Sequence, residues 1–252
     1  MKRSFLQAVA CLAAAAMASW AGAADTTPPS AAKAETPAAK APPAVAPYRA
    51  TGNEPGWHLV IADGKITLLL DNGQTRVEAR MPRPSTSPVL RKYATRADGK
   101  DLLVTVRDQR CADTMTGMPF PNTVEVVFDG RKLNGCGGDP ASLLHGAEWA
   151  VVEIDSAAIL AQPKVTLNFS ADGRVSGKAS CNAYTAAYSL TGEGLSFTKS
   201  ALTKMACEEP LMRQEAVFLD VLGRVMAFTI EPDGALVLRT AGKRSIKARR
   251  PG

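Results

Sequence analysis

The chain has 252 residues, with 30 basic and 24 acidic side chains, two histidines, five cysteines and a formal net charge of +6. Two histidines and no C-x-x-C pair leave no ordinary zinc-ligand set and few bases for a catalytic thiol. The positive charge is concentrated at the ends, so it does not describe a nucleic-acid-binding body.

The first stretch, "MKRSFLQAVACLAAAAMASWAGAAD", opens on Lys2 and Arg3, runs apolar from Phe5 to Trp20 and reaches Ala21-Gly22-Ala23. That order predicts a secretory signal peptide over residues 1–23, cut after Ala23. As a membrane span it is Ala-rich and short against the roughly 20 apolar residues required. Cys11 lies within it and is removed with it. No later segment is long and apolar enough to span, so the exported chain is expected to lack a transmembrane segment and to reside in the periplasm. Loss of residues 1–23 leaves 28 basic against 24 acidic side chains, a net +4. Residues 24–47, "ADTTPPSAAKAETPAAKAPPAVAP", lack aromatic and large aliphatic side chains and predict an extended spacer.

From Tyr48 onward Asp-Gly pairs recur inside strand-like runs: "VIADGKITLLL", "RADGKDLLVTVR", "VVFDGRKLNG", "NFSADGRVSG" and "IEPDGALVL". Asp-Gly accepts positive φ at both positions and closes a two-residue hairpin. In "KVTLNFS", Val165, Leu167 and Phe169 alternate with Thr166, Asn168 and Ser170, which places the apolar set on one face. These runs predict a mainly β (α+β) chain whose antiparallel sheets are closed or nearly closed. A break near residues 137–145 divides it into two tandem barrel-like domains, residues 48–140 and 145–250. Each begins near an acid and a tryptophan, Glu54 with Trp57 and Glu148 with Trp149.

One helix interrupts the second domain. In "EEPLMRQEAVFLDVLGRV", Pro210 suits a first turn and Gly223 an end, and Leu211, Ala216, Phe218, Leu219 and Leu222 form an apolar stripe that covers the barrel. The last segment, "KRSIKARRPG", carries Lys243, Arg244, Lys247, Arg249 and Arg250. Without those five the exported chain holds 23 basic against 24 acidic residues. The tail reads as a solvated end, with contact to an anionic surface as the functional alternative.

Four cysteines remain after export, and four permit three pairings. The domain division favours Cys111–Cys136 and Cys181–Cys207, each within one core, in a compartment where thiols pair. Catalytic thiols would need His58 or His145, which lie far from them in sequence. No G-x-S-x-G elbow, phosphate-binding glycine loop or H-E-x-x-H is present. No metal, cofactor or catalytic residue is therefore assigned, and the expected protein is not an enzyme. "CADTMTGMPFPNT" holds Met115 and Met118 beside Asp113 and Thr116. The methionines either pack against the barrel or form an adaptable contact surface.

The string "VTLNFSADGRVSGKASCNAYTAAYSLTGEGLSFTKSALTKMACEEPLMRQEAVFLDVL" resembles the META domain family, typified by heat-shock protein HslJ. "DGRVSG", "CNAY" with Asn182 and Tyr184, "TKMAC" with Thr203 and Met205, and the helix carry the resemblance. It implies a compact β-barrel-like domain with one helix in an envelope protein tied to heat or antibiotic stress, with no catalytic residues to transfer. The first domain resembles a small group of uncharacterised exported, lipoprotein-like β domains. Its pieces are "ATGNEPGW" with Asn53, Glu54 and Trp57, "CADTMTG" with Asp113, Met115 and Gly117, and "GCGG". Gly56 stands where those domains more usually carry an aromatic residue. The expected function is binding of an unknown envelope component during stress. The alternative is inhibition of a cell-wall hydrolase such as lysozyme.

Overall fold

The computed structural model describes residues 46–162 and 164–251; the expected signal peptide and nearly all of the spacer lie outside the described residues. The described residues are mainly β, in two large sheets with one core each and a two-stranded ribbon.

The first sheet uses β1 (Tyr48–Asn53), β2 (Gly56–Ala62), β3 (Lys65–Leu70), β4 (Thr75–Arg80), β5 (Ser85–Ser87), β6 (Leu90–Ala97) and β7 (Lys100–Arg107). A small β8–β9 ribbon (Cys111–Ala112 with Pro119–Phe120) precedes β10 (Asn122–Phe128) and β11 (Arg131–Gly137). The strand order is β4-β3-β2-β1-β11-β10-β7-β6-β5, entirely antiparallel. The sheet curls into a half-barrel, with β4 alongside β6, where the Thr95 hydroxyl donates to the Arg80 carbonyl. Its core is the alternating inner face: Leu59 and Ile61 of β2, Ile66 and Leu68 of β3, Val104 and Val106 of β7, Val124 and Val126 of β10.

The second sheet comprises β12 (Trp149–Ile154), β13 (Ala157–Ala158), β14 (Thr166–Phe169), β15 (Arg174–Lys178), β16 (Ala183–Thr191), β17 (Gly194–Phe197) and β18 (Ala201–Leu202). Helix α1 (Glu209–Leu222) follows, and β19 (Val225–Ile230), β20 (Leu236–Thr240) and β21 (Ser245–Arg249) complete it. The order β17-β16-β15-β14-β12-β21-β20-β19 brings β17 back beside β19, a nearly closed barrel. Helix α1 packs Phe218, Val221 and Leu222 into this core, and Phe218 meets Tyr184 edge to face at 5.5 Å.

Three of the five Asp-Gly pairs close two-residue hairpins. Asp63-Gly64, Asp98-Gly99 and Asp129-Gly130 have φ of 49° and 72°, 50° and 75°, and 51° and 75°. The other two expectations are corrected. At Asp172-Gly173 and Asp233-Gly234 only the glycine has positive φ, and the loops are longer. There the aspartate bonds locally instead of turning the chain: Asp172 accepts from the Ser170 hydroxyl and Asp233 Oδ1 from the Ala235 N–H.

The helix stripe needs correction as well. Ala216 is exposed and Leu211 only half-buried, while Glu215 and Val221 are buried. The buried face follows the spacing 215, 218, 222, which carries an acid inward.

The basic tail is not a free end. Ser245–Arg249 is an inner strand between β12 and β20. Lys247 pairs with Glu231 at 2.8 Å, Arg249 with Asp233 at 2.6 Å, and Arg244 with both Asp155 and Asp220. The acids come from the β19–β20 loop, the end of β12 and helix α1, so packing around β21 sets four carboxylates against three of the five expected charges. Lys243 has no ion pair among the described residues.

Packing also crosses the sequence division. Met118 is buried in the second core, and Phe120 packs against it, although both lie in the first half of the chain. The two sheets belong to one compact unit.

Candidate functional site

Both cysteine pairs form as the domain division favours, Cys111–Cys136 and Cys181–Cys207. They close loops spanning 25 and 26 residues, which chain entropy values at about 3.5 kcal/mol each.

The motif residues of the first half gather at the end of the β1–β2 hairpin. Thr51, Gly52 and Asn53 run up one strand, Gly56 and Trp57 down the other, and Glu54 lies exposed at the tip. Asn53 Nδ2 donates to Asp113 Oδ2 and to the Thr114 hydroxyl, both at 2.9 Å. Asp113 Oδ1 accepts from the backbone N–H of Met115 (3.0 Å) and Thr116 (2.8 Å) and from the Thr116 hydroxyl (2.9 Å). Partial burial pushes the Asp113 carboxyl up, but these donors from Thr116, Asn53 and Met115 outweigh it and hold it below its ordinary value. The result is a rigid turn, completed by Gly117 at φ 71°, with Met115 at its tip 79% exposed. The two methionines divide the expected roles: Met118 packs, Met115 projects.

Trp57 is buried and donates Nε1–H to the Asn134 carbonyl. The strands approach so closely here that a side chain at Gly135 would collide with the Thr51 carbonyl and the Trp57 ring. Asn72 Oδ1 fills the space beside Gly56, so no aromatic pocket opens at this turn.

In the second half the motif residues build a buried brace. Asn182 donates its backbone N–H to Glu215 Oε2 (2.6 Å) and its Nδ2 to Oε1 (2.8 Å). Asn182 Oδ1 accepts from the Thr203 hydroxyl (2.9 Å) and the Met205 N–H (2.8 Å). One side chain thus ties "CNAY", "TKMAC" and the helix together, beside the Cys181–Cys207 bond. Burial pushes the Tyr184 phenol up, and it stays a donor, to the Thr166 carbonyl at 3.0 Å. Glu215 and Gln214, which bonds Ser180 and the Leu160 N–H, were not among the expected residues. In sequence Glu215 looks like another helix-surface acid; only its spacing to Phe218 and Leu222 marks it.

Among the described residues neither histidine meets a thiol. His58 Nδ1 lies 3.1 Å from the Thr51 hydroxyl. His145 Nε2 lies 2.7 Å from the Tyr188 hydroxyl, which itself donates to the Ser170 carbonyl, so His145 Nε2 is the donor.

A cleft of about 420 Å³ opens where the two sheets adjoin, lined by Arg110, Leu143, Ile230, Asp233, Arg249 and Arg250 among others. The Arg250 guanidinium lies 4.4 Å above the Trp149 ring, and its Nη2 donates to the Leu143 and His145 carbonyls. Among the described residues no group of three or more acids, cysteines or histidines could hold a metal ion.

Residues 142–251 match the family model described as the META domain. This part of the chain is similar to a META domain. The match includes the Asn182–Glu215 brace and Arg249 and Arg250 of the cleft. Among curated proteins no sequence matches the chain. An NMR structure of a protein from Burkholderia xenovorans is 23% identical, spanning 45% of this chain and 88% of that one with a TM-score of 0.38. A second NMR structure is 18% identical, spanning 45% and 95%, with a TM-score of 0.37. No described helix is long and apolar enough to cross a membrane.

Proposed function

We propose that the protein works without catalysis, as a periplasmic META-domain protein that supports the cell envelope under heat or antibiotic stress by binding. One observation carries this reading: the polar residues that mark both halves, Glu54 apart, are engaged in bracing. Asn53 and Asp113 lock a turn, Asn182 and Glu215 lock a helix to a sheet, and the four cysteines are bonded to one another. Groups fixed in this way keep loops rigid, and rigid loops bind with little ordering cost. The exposed Met115 on its locked turn and the arginine-lined cleft are surfaces so presented.

The test is deletion of the gene, followed by survival after heat and novobiocin, with cross-linking pull-down from the envelope by the exported chain. Lower survival and a recovered envelope component are expected. Unchanged survival with nothing recovered rejects the reading. Recovery of a wall hydrolase whose activity falls on titration makes the protein an inhibitor.

A further inference from the structure

The cleft where the sheets adjoin carries more positive charge than its surroundings cancel. Three guanidiniums line it, Arg110, Arg249 and Arg250, against one carboxylate, Asp233. Both oxygens of that carboxylate are engaged, Oδ1 by the Ala235 N–H at 3.0 Å and Oδ2 by Arg249 at 2.6 Å. Arg249 and Asp233 therefore neutralise each other. Arg110 reaches only the Pro232 carbonyl, at 3.4 Å, and Arg250 only two carbonyls. Neither has a carboxylate partner among the described residues. Two charges thus face one cleft with donors to spare, since each guanidinium carries five N–H groups.

The two are presented differently. Stacking on Trp149, which is buried and held by its Nε1–H to the Leu144 carbonyl at 2.9 Å, fixes the plane of Arg250 in advance. Arg110 comes from the other half of the chain, beyond β7, and reaches across to the β19–β20 loop. Half-buried Leu143 and Ile230 supply apolar wall between them. A planar donor fork matches carboxylate and phosphate oxygens, and the apolar wall matches a hydrocarbon body.

We propose that this cleft binds a small organic anion, a carboxylate or phosphate on an apolar body, recognised by Arg110 and Arg250 together. The proposal deepens, and rests on, the reading of the protein as a binder. The ligand joins the two halves of the chain, because its two arginines come one from each.

The experiment is titration of the purified full chain with hexanoate, hexyl phosphate and neutral hexanol, following the Trp149 indole N–H by NMR. Either anion is expected to shift that signal saturably in the millimolar range, where so small a ligand should bind. Hexanol should not, and the tighter anion assigns the headgroup. R110Q should weaken binding by at least about tenfold, the loss of one charge-assisted hydrogen bond. Arg110 is exposed and makes one long contact, so its unfolding midpoint should not move. D233N removes the cleft's acid and should tighten binding. No saturable shift with either anion, equal binding of hexanol, or parent-like affinity in R110Q overturns the proposal. If the titration fails while an envelope partner is still recovered, the cleft alone is lost. If it succeeds while survival and recovery are unaffected, the envelope role is lost and the cleft stands.

Discussion

Two amide–carboxylate pairs hold this molecule together, and they sit in opposite environments. Asn53 meets Asp113 at 2.9 Å beside a turn in the first half; Asn182 meets Glu215 at 2.8 Å in the second, where both residues are buried. The chemistry is the same and the solvent is not. Water can replace the Asn53 donor if it is lost. The Asn182 side chain is harder to replace, because its removal leaves the buried Glu215 Oε1 without its donor, while the Thr203 hydroxyl and the Met205 N–H, on exposed residues, can turn to water. Burial, not bond count, should therefore rank the two.

Asn182→Ala is the strongest test of that ranking. It should lower unfolding stability by about 4 kcal/mol in a urea titration, because a buried carboxylate loses a charge-assisted bond and two half-buried neutral bonds go with it. A loss under about 1 kcal/mol would erase the distinction. The paired serine replacements of Cys111 with Cys136 and of Cys181 with Cys207 should each cost about 3.5 kcal/mol, nearly equal because the loops are nearly equal in length. A clear difference would show that the surroundings outweigh chain entropy. Met118→Ala should cost about 2–3 kcal/mol as a buried deletion, read by Trp149 fluorescence in the second core although the mutation lies in the first half. Asn53→Ala should cost about 0.5–1 kcal/mol in the same assay, the small side of the comparison.

The smallest effect is on acid stability. The Asp113 carboxyl lies below its ordinary value of 3.8 in the folded protein, so folding favours its ionised form. Its contribution is present above that pH and is lost as pH falls through the lowered folded value. Asp220 and Asp233 are shifted the same way, the first led by its hydrogen bond from Arg224, the second by that from the Ala235 N–H. Thermal midpoints should be level from neutral pH toward pH 5 and decline below about 4. Asp113→Asn should decline less steeply, and identical slopes would remove Asp113 from the account.

Period and turn chemistry made much of this legible in advance. Alternation located the strands, and an Asp-Gly pair set directly between two apolar runs marked three hairpins correctly. It misled at Asp172 and Asp233, where side-chain bonds that composition does not reveal give longer loops. The helix was legible from Pro210, but its inner face was not, because a buried carboxylate depends on a partner 33 residues away. The basic tail read as solvated because its acids, Glu231, Asp233, Asp155 and Asp220, lie on a loop, a strand end and the helix that only the folded chain brings beside it. The cleft is invisible in sequence for the same reason: Arg110 and Arg250 stand 140 positions apart.

Met118 and Phe120 give the molecule an unequal dependence. A fragment cut at residue 142, where the matched family begins, would keep every strand of its own barrel yet arrive with a hollow that the discarded half had plugged. Exporting, engineering or grafting residues 142–251 from this chain would therefore call for carrying the 111–120 ribbon with them, or for a bulkier residue nearby to fill the dent.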